Sequence, residues 1–162
     1  MILTIFTIFH VVLSLIGIGA GFIVLYGMLT AKNLDGWTKL FLWTTVATSV
    51  TGFFFPVDHF MPSHAVGILS LIVLALAIRG RYSYQLAGGW RLTYVIGSVA
   101  AQYLNVFVLV VQLFRRVPLL KELAPTQSEP PFAIAQLTVL VLFVVLGYLA
   151  ATRFRNVPLR TA

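Results

Sequence analysis

Three histidines are the residues of this chain best suited to ligand chemistry: His10, His59 and His64. Neutral imidazole ligates zinc, copper and haem iron. Asp58 precedes His59, and the run Pro56-Val-Asp-His-Phe-Met-Pro-Ser-His64 places an acid, two histidines and a methionine within seven residues. The chain has no cysteine, which excludes disulfides, thiolate metal sites and thiol nucleophiles. A zinc hydrolase would want His-x-x-x-His on one helix with a catalytic glutamate. His59 and His64 are instead five apart across Pro62, so they do not share a helical face, and no catalytic residue is assigned.

The elements that must position these groups are apolar. The 162 residues are 60% hydrophobic and 9% charged, with a mean hydropathy of +0.99. A soluble domain carries about 25% charged residues, so the solvent here is lipid. The composition predicts an all-α, polytopic membrane bundle in a single domain covering residues 1–162. Five spans are expected, at Ile2–Leu29, Thr38–Phe55, His64–Arg79, Arg91–Phe114 and Phe132–Thr152. The third is short, and Arg79 would extend it by snorkelling. The N-terminus lacks the basic segment of a signal peptide, so the first apolar run reads as a retained span. Pro56, Pro62, Gly88-Gly89 and the stretch Ala124–Pro131 mark the breaks between spans.

Lys and Arg set the orientation. Lys32, Lys39, Arg79, Arg81, Arg91, Arg153, Arg155 and Arg160 fall on one side, and Arg115, Arg116 and Lys121 on the other. The richer side should be cytoplasmic, with the N-terminus outside and the C-terminus inside. For a bacterial chain this means a multi-pass inner-membrane protein whose histidines gather at the extracytoplasmic face. The net charge of +7 then reflects topology and anionic headgroups, not nucleic acid.

Helical spacing refines the site. His10, Ser14, Gly17 and Gly21 form one stripe of the first span, and the glycine pair predicts a helix–helix contact. In the fourth span Tyr94, Ser98, Gln102, Asn105 and Gln112 share a face, with Gln112 at the outer level. Gln136 returns to that level in the fifth span. Thr44, Thr48 and Thr51 share a face of the second. Polar faces in hydrocarbon should converge.

The expected cofactor site is therefore His10 and His64, with Gln112 and Gln136 beside them. A metal would draw on His10, His64, His59 and Asp58. The cofactor would be haem b or a transition metal, with an electron-transfer role. Ser98, Gln102 and Asn105 would form a polar pathway if the protein conducts protons or a small solute. An accessory or anchor subunit of a larger membrane complex, or a homo-oligomer, is the other alternative. Arg153 and Arg155 are placed to meet anionic lipid.

Overall fold

The computed structural model describes residues 1–56 and 62–155. Those residues form six α-helices and no strand: α1 (Ile2–Leu29), α2 (Asp35–Gly52), α3 (Pro62–Ile78), α4 (Trp90–Arg116), α5 (Pro118–Leu123) and α6 (Pro130–Arg153). Proline opens α3, α5 and α6, where a missing amide costs nothing because the first helical amides lack partners anyway. Glu129 anchors the turn before α6. Its carboxylate accepts hydrogen bonds from the Thr126 hydroxyl at 2.8 Å and the Thr126 amide at 3.1 Å.

Among the described residues, four segments are long and apolar enough to cross a membrane: Ile2–Leu29, Pro62–Ser83, Trp90–Arg116 and Pro130–Arg153. The chain is thus a helical membrane protein. The third segment is longer than expected because a π-helical turn, Arg79–Ser83, continues α3. The expected second span forms a helix, α2, which carries Asp35 and Lys39 and has no 18-residue stretch as apolar as those four. Short α5 occupies part of what the sequence shows only as a loop between the last two spans.

Helix α4 is the centre. It packs against α1, α3 and α6, and half of its most apolar stretch is buried, against 11% for α6. Helix α1 packs most extensively on α2, which also packs on α3. Close approach depends on glycine at the expected positions. A Cβ at Gly17 would lie 3.0 Å from Thr44 Oγ1, and one at Gly21 would collide with Gln102. At Gly97 it would lie 2.9 Å from the Val73 carbonyl oxygen, so glycine brings α3 and α4 backbone to backbone.

Two threonines of α2 are satisfied locally. Thr44 and Thr51 donate to the carbonyls of Leu40 and Ala47, each at 2.7 Å. A hydroxyl folded onto the carbonyl four residues back leaves little polarity to bury.

Candidate functional site

The bundle has two poles of different chemistry. One gathers the start of α1, the end of α2 and the start of α3. His10 lies there, in the third turn of α1, with its Nδ1 2.8 Å from Thr51 Oγ1. Thr51 Oγ1 also lies 2.7 Å from the Ala47 carbonyl oxygen. With the Thr51 proton on that carbonyl, the imidazole donates from Nδ1, and a neutral ring keeps its lone pair on Nε2. Phe55 meets the ring edge-on, with centroids 5.1 Å apart and planes at 86°, and Phe6 packs on Phe55 at 5.0 Å.

His64 has a different aromatic partner. It stacks on Phe53 at 5.6 Å with the planes 13° apart. Thr51 and Phe53 are two residues apart, about 200° around a helix. The two histidines therefore flank the end of α2 from the α1 side and the α3 side. Each histidine thus has its own aromatic partner at the end of α2.

The glutamines expected beside them are placed elsewhere. Gln112 is exposed. Gln136 donates to the Phe107 carbonyl at 3.1 Å, on the seam between α4 and α6. Asp58 and His59 lie outside the described residues. Among the described residues, no group of three or more His, Cys, Asp or Glu could hold a metal ion.

The polar face of α4 points into the bundle, as its spacing predicts. Ser98 and Gln102 are almost fully buried, at 3% and 1% exposure. Gln102 donates to the Ile18 carbonyl at 2.8 Å and Asn105 to Thr45 Oγ1 at 3.2 Å, which ties α4 to α1 and α2. Ser98 Oγ and Gln102 Oε1 are buried without a protein partner. Both side chains line a void of about 10 Å³, the size of about one water. This geometry holds helices together.

The opposite pole centres on Arg81. The π-helical turn carries it inward, where its side chain is 1% exposed and paired with Asp35 at the start of α2. The same nitrogen donates to Asn33 Oδ1 at 2.7 Å. The guanidinium lies over the Tyr94 ring at 5.1 Å and the Tyr82 ring at 5.8 Å. Its other terminal nitrogen is buried with no partner. A π-turn adds a residue to the helical cycle and re-aims the side chains on it. A regular turn would let Arg81 snorkel to the headgroups as Lys and Arg commonly do.

Sequence reasoning assigns no role to Arg81, Asp35 and Asn33 beyond counting Arg81 toward topology. A signal was present. Asp35 is the one acid on the side of the chain that carries eight of the eleven basic residues. A lone countercharge at a helix start, with arginines across the bundle, points to an ion pair.

No family model, curated protein or solved structure matches the chain. Its function is therefore read from this geometry alone.

Proposed function

We propose that the chain is a five-span protein of the bacterial inner membrane, with its N-terminus outside and its C-terminus in the cytoplasm. It binds a ligand at its outer pole through His10. Helix α2 counts as the fifth crossing. Its 18 residues reach about 27 Å, close to the ~30 Å hydrocarbon core. It packs against α1 and α3, and the hydroxyls of Thr44 and Thr51 are satisfied by carbonyls of its own backbone. The arginine-rich pole faces the cytoplasm.

The observation that carries the functional reading is the fixed ring of His10. Ligating histidines characteristically donate their second ring N–H to an acceptor, which sets the tautomer and aims the other nitrogen. Thr51 performs that service here, and Phe6 and Phe55 supply an apolar wall. The ligand classes that suit a neutral Nε2 are haem b and a transition-metal ion. No set of protein ligands beyond His10 is assigned.

An absorption spectrum and metal analysis of purified protein test this. A Soret band or stoichiometric metal, lost in His10→Ala, supports the reading. A folded protein showing neither refutes it.

A further inference from the structure

At the arginine pole, the start of α4 and the end of α6 diverge around a groove of about 670 Å³. Leu92, Val95, Tyr148 and Ala151 give it apolar walls, while Gln85, Arg91 and Arg155 bring polar groups to its lining. We propose that this groove binds one anionic phospholipid, with its phosphate at Arg91 and Arg155 and its upper acyl chain along Leu92 and Tyr148.

Charge selects the sign of the occupant. Among the described residues no acid lines the groove. Asp35 is paired with Arg81, and Glu122 and Glu129 lie beyond the far end of α4. Arg91 is held beside the groove, its guanidinium 5.8 Å from the centre of the Phe154 ring. The groove also opens at the start of α4, whose 27 aligned peptides leave partial positive charge there.

Polarity of the walls selects a lipid over a free anion. Tyr148 is 70% exposed and Leu92 50% exposed, so the groove opens sideways on the apolar surface of the bundle. A soluble phosphate gains nothing from that wall, whereas an acyl chain does. The arginines lie at the ends of two spans, at headgroup depth. The volume suits a headgroup and the first part of a chain. Arg153, the neighbour with similar sequence credentials, is directed elsewhere, donating to the Leu29 carbonyl at 3.3 Å.

The local backbone is built for this shape. Gln85, Leu86 and Gly88 all have positive φ, of 45°, 60° and 52°. Leu86 is buried at 2% exposure, despite a conformation that β-carbons disfavour. Such strained turns persist only where surrounding structure holds them. Here the Leu86 amide donates to Gly80 at 2.9 Å, and Tyr84 stacks on Trp90 with centroids 4.0 Å apart.

The test is native mass spectrometry of the whole protein taken from vesicles of phosphatidylglycerol and phosphatidylcholine. Wild type should retain one phosphatidylglycerol in preference to phosphatidylcholine. Arg91→Ala with Arg155→Ala should weaken that retention by roughly 30-fold, from about five- to sixfold per arginine. Arg115→Ala with Arg116→Ala, a matched charge loss at the other pole, should leave it intact. Ala151→Phe fills the groove without changing charge and should also expel the lipid, which keeps the test open if the arginine variant fails to fold. Equal retention of both lipids, or retention unchanged in the Arg91/Arg155 or Ala151 variant, overturns the proposal. Displacement of the lipid by millimolar glycerol phosphate would also overturn it, because the site would then read a free anion.

Discussion

The two poles solve the same problem, a polar group near hydrocarbon, in opposite ways. At the histidine pole each group is handled by a neutral neighbour: His10 by Thr51, and Thr51 by its own helix. At the arginine pole a full charge is buried and answered by an acid, an amide oxygen and two aromatic rings. The first arrangement costs little and, on the proposed reading, leaves Nε2 of His10 for a ligand. The second commits Arg81 to structure. The difference teaches that charge is not where the ligand chemistry must be; the best-paired group is the one least able to do anything else.

Breaking the arginine pole should therefore have the largest effect. Removing one partner of a buried ion pair leaves an uncompensated charge, at a cost of about 3–5 kcal/mol. Asp35 is 40% exposed, so water recovers part of this, and Asp35→Ala should destabilise by about 2–3 kcal/mol. Thermal unfolding in a fixed detergent measures it. Asp35→Asn should recover part of that loss by keeping an acceptor. A change below that of His10→Ala would show that the poles are not as unequal as their geometry implies.

The seam between α3 and α4 gives the next effect. A methyl at Gly97 would meet the Val73 carbonyl at 2.9 Å, a backbone atom that cannot swing aside. Gly97→Ala should cost about 1–3 kcal/mol by overpacking. At Gly21 the nearest atoms belong to the end of the Gln102 side chain. Gly21→Ala should therefore displace Gln102 and break its bond to Ile18, a loss that Gln102→Leu in the same background would not add to. Additive losses would sink the assignment of Gln102 as the tie between α1 and α4.

What was legible in the sequence follows the same division. Hydropathy and proline placement show most of the crossings, because a span is a property of about 20 consecutive residues. The glycine stripe of α1 and the polar face of α4 were legible as well, since helical spacing fixes which residues share a face. Whether two faces meet is a tertiary fact. His10 and His64 fall at one level in the sequence, but α2 stands between their helices and gives each its own aromatic partner. Gln112 shares the spacing of the α4 stripe, yet lies beyond the depth where neighbours cover it. The inward turn of Arg81 was least legible. It rests on a π-turn that no residue type announces, and from the sequence the arginine counts only toward topology.

A smaller effect sharpens the histidine pole. Thr51→Val removes the acceptor from His10 Nδ1 at nearly constant volume. The loss should be about 1 kcal/mol, as for one hydrogen bond. Its sharper readout is nitrogen-15 NMR of the imidazole. The wild-type ring should be protonated at Nδ1, and the variant should show a mixture of tautomers. A wild-type ring protonated only at Nε2 would remove the basis for treating that nitrogen as a ligand position.

The smallest effect lies in the exposed turn before α6, and it is read by pH. Desolvation, the largest single influence, pushes the Glu129 carboxyl up. Hydrogen bonds from the Thr126 hydroxyl and from the amides of Glu129, Thr126 and Ser128 outweigh it, so the group titrates below its ordinary 4.5. A carboxyl lowered in the folded state stabilises above its unfolded value and loses that contribution as pH falls through the folded one. The turn should thus be intact at neutral pH and loosen only in acid, below about 4.5. Amide exchange at Thr126 and Ser128 should quicken there, and Glu129→Gln should show the faster exchange already at pH 7. The interior of α4, which carries no acid, should keep its protection over the same range. Loss of protection there in step would mean that acid acts on the whole bundle, and that Glu129 only reports it.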